Sequence, residues 1–217
     1  MKKIFPTFFL LLVLNFYFSA QAIDLPKYYK FPKNHSKGKF YDSVKDFFLV
    51  ATKKNRDPRF NKTVILMLEH DDNGALGLAI NVPLRKINLG QLISKTNDMS
   101  INKKELYDVE IPIYWGGPMD PNKILILHSN DYRSESTKNY NKLSTSSDLK
   151  TLVAIAENKG PKKSLVIQGI SAWTKGQLDG EIEIEMWTLS DISIELIFET
   201  DNNIKWPKAI SSSFIRL

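Results

Sequence analysis

Residues 69–81 read Glu69-His70-Asp71-Asp72-Asn73-Gly74-Ala75-Leu76-Gly77-Leu78-Ala79-Ile80-Asn81. The run before them, Thr63 to Leu68 (TVILML), is apolar at every position but the first, as a strand covered on both faces requires. Asn73-Gly74 then predicts a hairpin, because a type I′ turn needs positive φ at both central residues and Asn-Gly supplies it cheaply. A two-residue loop there puts His70 opposite Gly77. A three-residue loop with a bulge moves its partner to Leu76. Consecutive strand side chains alternate between faces, so of Glu69, His70, Asp71 and Asp72 only alternate members converge. Three carboxylates beside an imidazole at a turn are therefore read as turn chemistry, and no metal is expected.

Two further glycine–tryptophan clusters answer this hairpin downstream, Trp115-Gly116-Gly117-Pro118 and Gly169 to Trp173 followed by Gly176-Gln177-Leu178. Between them the pattern predicts strands at Phe47–Ala51, Val109–Trp115, Lys123–His128 and Ser164–Gly169, with Asp57-Pro58-Arg59-Phe60 and Asp120-Pro121 as turns. Asn88 caps a short helix over Leu89–Ile93. Thr145-Ser146-Ser147-Asp148 fits a capping pattern before a helix with Leu149, Leu152, Val153 and Ala156 on one face, ended by Gly160-Pro161. Gln177–Glu183 is a helix weakened by Gly180, at a cost of about 1 kcal/mol relative to alanine. Met186–Thr188 and Ile194–Phe198 read as extended, and Trp206–Ser213 as a terminal helix starting near Pro207. No linker or repeat divides the chain, so one α+β domain with a mixed sheet over residues 46–217 is expected.

The chain opens with Lys2-Lys3, an apolar run from Ile4 to Phe18, and Ser19-Ala20-Gln21-Ala22. That is the order of a secretory signal peptide, cleaved after Ala22. The expected location is periplasmic or secreted, with an inner-membrane anchor as the alternative; the apolar run is short of the roughly 20 residues a span needs. Membrane contact follows only if the segment stays uncleaved. Residues 23–45, rich in lysine and aromatics, read as an irregular arm. The net charge of +6 loses two with Lys2 and Lys3, and so small an excess points to solvated surface rather than nucleic acid. With no cysteine there is no disulfide framework, and the core must come from the 42% of residues that are hydrophobic.

Taken together, these motifs resemble the AlgH/YqgE family of bacterial proteins, over roughly Phe48 to Ala209. The matching residues are Asp57-Pro58-x-Phe60, Thr63-Val64, Glu69-His70, Gly74-Ala75-Leu76-Gly77-Leu78, Asn81-x-Pro83-Leu84, Gly116-Gly117-Pro118 and Leu127-His128. They continue with Thr145-Ser146-x-Asp148, Gly160-Pro161, Trp173, Gly176-Gln177-Leu178, Glu181-Ile182, Trp187 and Trp206. The resemblance implies a mixed, bifurcated β-sheet curled into a pseudo-barrel with flanking helices. It implies no reaction, since the family's biochemical role is undetermined and its link to gene regulation carries no DNA-binding motif. An export signal departs from the family, as does Ser171-Ala172 before the tryptophan.

The expected function is non-enzymatic binding of a small molecule or protein partner, with no cofactor, in a groove where the three glycine-bearing turns meet. Its walls would be His70, Gly77, Asn81, Gly116, Gly117, Pro118, Trp173 and Gln177, and His128 is a further candidate. The alternatives are a hydrolase-type enzyme pairing His70 with His128 and a regulatory protein as suggested for the family. Gly169-Ile170-Ser171-Ala172-Trp173 does not serve the first, since a nucleophile elbow needs glycine where Ala172 stands.

Overall fold

The computed structural model describes residues 34–36, 39–41, 43–94 and 106–213. The expected signal segment, and the polar stretch 96–105, lie outside the described residues. Within the segment read as an irregular arm, β1 (Asn34–Ser36) pairs antiparallel with β2 (Lys39–Tyr41).

The main sheet contains β3 (Phe47–Ala51), β4 (Val64–Asp71), β5 (Gly74–Ala79), β6 (Pro83–Asn88), β7 (Glu110–Trp115), β8 (Met119–Ser129), β9 (Lys138–Tyr140), β10 (Leu143–Ser146), β11 (Ser164–Thr174) and β12 (Trp187–Asp191). Its path runs β12-β3-β4-β5-β11-β8-β10-β9, and β7, with β6 beside it, joins β11 in parallel. The sheet is therefore mixed, and β11 is where it forks. On one edge β11 pairs with β7 through Val166–Gln168 and then with β5 through Ser171–Thr174. Its other edge stays with β8.

Gly116 fills the fork. Its N–H donates to the Gln168 carbonyl (2.8 Å), and its carbonyl accepts from the Ala79 N–H (3.0 Å) and the Ser171 hydroxyl (2.9 Å). A Cβ on Gly116 would collide with the Gly169 carbonyl, and one on Gly117 with the Ile170 backbone. Gly117 and Gly169 also sit at φ +150° and +79°, so backbone packs on backbone only because all three are glycine.

Both faces of the forked sheet are covered, which explains the unbroken apolar runs. One core joins Phe48, Val50, Leu66, Leu78, Leu127 and Ile167 to α4 (Ile194–Phe198) and α5 (Asn202–Ser211). On the opposite face of β3–β5, Leu49, Ile65, Met67, Trp173 and Trp187 pack under α3 (Gln177–Glu183). On the other branch, Ile113, Ile126 and Val166 pack under α1 (Leu89–Ile93) and α2 (Leu149–Ala156). Each fully buried Leu, Ile or Val contributes about 1.5–3 kcal/mol.

Several expectations need correction. The hairpin turns at Asp72-Asn73, neither of which has positive φ; Asp71 Oδ1 accepts from the Asn73 N–H (2.7 Å), and Gly74 takes φ +139° one place later. Pairing runs Met67 with Gly77, then Glu69 with Leu76, so Leu68 is bulged and His70 faces Ala75 rather than Gly77 or Leu76. Asp120-Pro121 is not a turn but lies inside β8. Thr145 and Ser146 belong to β10, and Asp148 itself caps α2 through the Thr151 N–H (2.8 Å). Ile194–Phe198 is helical because Ser193 caps it, accepting from the Leu196 N–H (3.1 Å); a short apolar run does not distinguish the two states by period. The last helix begins at Asn202 and carries Pro207 inside it.

Candidate functional site

The Leu68 bulge has a consequence for His70. Val64, Leu66 and Leu68 face the first core, while Ile65 and Met67 face α3. One inserted residue moves Glu69 off the α3 side and brings His70 onto it. There His70 is 8% exposed, and its Nδ1 accepts from the Val44 N–H (3.0 Å). Nδ1 being an acceptor, Nε2 carries the proton, and it points to Asp179 Oδ1 at 3.7 Å. Ala75 pairs with His70 on one side and Trp173 on the other, so the three share a face across adjacent strands.

α3 is the element that organises this face. Gly176, at φ +73°, turns the chain into it without a side-chain cap. Gln177 Oε1 accepts from the Thr174 N–H (3.1 Å), and Gln177 Nε2 donates to Glu181 Oε1 (3.0 Å), one helical turn on. Glu181 Oε2 accepts from the indole N–H groups of Trp173 (2.9 Å) and Trp187 (2.8 Å). Leu178 and Ile182 bury the helix against the sheet. A single carboxylate thus ties α3 to β11 and β12.

Beside Glu181 opens a cavity of about 560 Å³. Phe60, Trp173 and Trp187 form aromatic walls, with Phe60 and Trp187 edge-on at 5.4 Å and the two indoles edge-on at 6.2 Å. Pro118, Met119 and Met186 supply further apolar surface, and Asn55, Ser171, Gln177 and Glu181 the polar groups. At the lining, Asp57 caps the turn Pro58–Phe60 by accepting from the Arg59 N–H (3.0 Å), and the Arg59 guanidinium returns to it with Nη2–Oδ2 at 2.6 Å. That side-chain hydrogen bond, outweighing burial, holds the Asp57 carboxyl below the usual carboxylate range. The same guanidinium lies 5.9 Å above the Phe60 ring. Asn55 Oδ1 accepts from the Asp57 N–H (3.1 Å), while Asn55 Nδ2 is buried with no hydrogen-bond partner.

Of the residues expected to line a site, Pro118, Trp173 and Gln177 border this cavity. Gly116 and Gly117 form the fork next to it, and His70 is sealed under the far side of α3 by Val44 and Asp179. Gly77 is a packing residue: a Cβ there would come within 2.6 Å of Ile65 Cγ2. Asn81 is a brace, accepting from the Val64 N–H (2.8 Å) and donating to the Lys62 carbonyl (2.8 Å). The three glycine-bearing segments are thus neighbours across β5 and β11, but they do not surround one groove.

His128 belongs elsewhere. It is 0% exposed, its Nδ1–H donates to the Ser129 carbonyl (2.8 Å), and its Nε2 accepts from the Ser146 hydroxyl (2.9 Å). Ser146 in turn accepts from Thr137 (2.8 Å), and Ser134 donates to Asp148 (2.5 Å). A serine–histidine contact exists, but His128 and Ser146 are buried and no acid orients the ring. His70 and His128 share no partner. Among the described residues no three histidine, aspartate or glutamate side chains converge as metal ligands would.

Asn55, Asp57, Phe60, Glu181 and Trp187 were missed as site residues, although four of them stand in the family-matching motifs. They are scattered over the chain from 55 to 187, and only the fold brings them to one cavity.

The geometry defines an α+β domain on a forked, curled mixed sheet, with one branch capped by α3 over a ligand-sized cavity. Comparison with known proteins agrees. An AlgH-like family model matches residues 48–217. UPF0301 proteins of Rickettsia canadensis (strain McKiel) and Rickettsia massiliae (strain Mtu5) are each 38% identical over 152 residues, 70% of this chain and 78% of theirs. The solution structure of AlgH from Pseudomonas aeruginosa superposes with a TM-score of 0.66 at 28% identity, over 80% of this chain and 90% of that one. A crystal structure from Corynebacterium diphtheriae, at 18% identity, shares the fold with a TM-score of 0.58 over 79% and 88%. The chain belongs to the AlgH-like family.

Proposed function

We propose that this AlgH-like domain is a non-enzymatic binding protein whose small ligand occupies the cavity between the Pro58–Phe60 turn, β11, α3 and β12. The observation that carries the reading is the convergence of three aromatic rings and several polar groups on a space of about 560 Å³. Ligand sites have this make-up, mostly apolar with a few placed polar groups. The hydrolase alternative lacks support, because His70 and His128 sit in separate networks and neither faces the cavity.

Saturation-transfer NMR with a fragment library of mixed charge tests the reading. Binders are expected with the wild type and weakened in Phe60→Ala, which removes a half-buried aromatic wall. No binders, or binders indifferent to Phe60→Ala, would refute it.

We also propose export. The order of residues 1–22 supports a cleaved signal, so fractionation should find the protein in the periplasm or medium with Ile23 at its N-terminus. An intact Met1 in the cytoplasm would rule this out.

A further inference from the structure

We infer that the ligand of this cavity is a small organic cation, an amine or quaternary ammonium on an apolar body. The inference rests on the cavity being a binding site, as proposed above, and adds its chemical class.

Charge comes first. The ionisable side chains lining the cavity are Asp57, Arg59 and Glu181. Arg59 is committed to Asp57 by hydrogen bonds from Nε (3.0 and 3.1 Å) and Nη2 (2.6 Å), so that pair cancels. Glu181 remains, and among the described lining residues no lysine and no arginine other than Arg59 stands with it. Its carboxylate has about four lone-pair positions. Oε2 accepts two indole N–H bonds and Oε1 one amide N–H, leaving about one position on Oε1 for a donor from the cavity.

The walls point the same way. Aromatic faces attract cations through their quadrupole and are indifferent or unfavourable to anions. Phe60, half-buried, and the buried Trp173 and Trp187 place three aromatic rings at the lining of the volume beside the carboxylate. The protein already holds one cation in this arrangement: the Arg59 guanidinium lies over Phe60 while bonded to Asp57. An anionic ligand would meet Glu181 with no unpaired cation among the described lining residues to offset it.

Three probes with one apolar body and different charge decide the matter: 2-phenylethylamine, 2-phenylethanol and 3-phenylpropionate. Binding is read at neutral pH by the fluorescence of Trp173 and Trp187 and by calorimetry. The amine is expected to bind at least tenfold more tightly than the alcohol, and the acid not measurably. Glu181→Gln should bring the amine down to the level of the alcohol and leave the alcohol unchanged, since the amide oxygen can still accept from the indoles. Arg59→Ala should tighten the amine severalfold by releasing Asp57. Equal affinities, or preference for the acid, would overturn the cation assignment while leaving a binding cavity. If none of the three binds, and the fragment library also yields nothing, the cavity itself is not a site. Should Glu181→Gln fail to fold, as judged by near-ultraviolet circular dichroism, the wild-type ranking of the three probes still decides.

Discussion

Two buried polar hubs, built on similar logic, differ in what lies beside them. At His128 the imidazole, Ser146, Thr137 and the Ser129 carbonyl satisfy one another inside the fold, and the ring is wholly enclosed. At Glu181 the carboxylate is likewise satisfied, by two indoles and an amide, but one flank borders open volume. The first hub contains the residue types of a hydrolase and cannot be reached; the second contains no catalytic-looking set and can. Residue type alone draws the hydrolase alternative to the enclosed hub. Access distinguishes them, and access is a property of the fold.

The contrast is broken most severely at the sealed hub. His128→Ala would strand the Ser146 donor and the Ser129 carbonyl and leave a void, costing about 4 kcal/mol of unfolding free energy in a urea titration. Binding in the cavity should survive in the folded fraction. A cost below about 1 kcal/mol would mean the hub is not sealed.

Lys205 supplies a third case, a buried charge with too few partners. It is 2% exposed, its Nζ donates to the Ile80 carbonyl (3.0 Å) and sits 5.6 Å from the Tyr114 ring, and burial lowers its pKa to about 8. With a folded value below the unfolded one, the folded state gives up its proton first. Its stability relative to a variant lacking the amine therefore rises as pH climbs from about 8 to 10.5. Against Lys205→Met, the wild type should gain on the order of 3 kcal/mol across that window in denaturant titrations. No change with pH would show that the ammonium is solvated.

Asp148 ties the sealed hub to α2. Burial pushes its carboxyl up, but hydrogen bonds from Ser134, Ser136 and Thr151 outweigh that and leave it lower than usual. Its contribution is complete above the unfolded-state value near 4 and is lost as pH falls through the lower folded value. Asp148→Ala should cost about 1 kcal/mol at pH 7 through the lost cap, and less in acid. A cost independent of pH would remove the charge from the account.

The smallest effect on stability is expected at the open hub. Glu181→Gln keeps an acceptor for the indoles and should change unfolding free energy by less than about 1 kcal/mol while removing the preference for the amine. A loss above about 3 kcal/mol would make Glu181 a structural clamp like His128.

Much of the fold was legible because local signals agreed with tertiary ones. The two-faced apolar run of β4, the Asn88 cap of α1 and the span of α3 are where pattern and capping place them. The failures have particular causes. Gly169 reads as the end of a strand, yet it is a positive-φ bulge through which β11 continues to Thr174. The Leu68 bulge, invisible in composition, moved His70 to the other face. For the site, Trp173 and Gln177 were legible because they adjoin Gly176. Phe60, Glu181 and Trp187 were not, since nothing in the chain says that three distant segments enclose one space.

Glu181 borders open volume whereas His128 is enclosed, and a ligand should tell the two apart. The most direct test is a nitrogen–proton NMR titration with 2-phenylethylamine, following the indole N–H signals of Trp173 and Trp187 with the ring signals of His128. Both indole signals should move in a saturable manner while His128 stays fixed. Indole signals that stay fixed, or a His128 ring that moves with the same saturation curve, would contradict it.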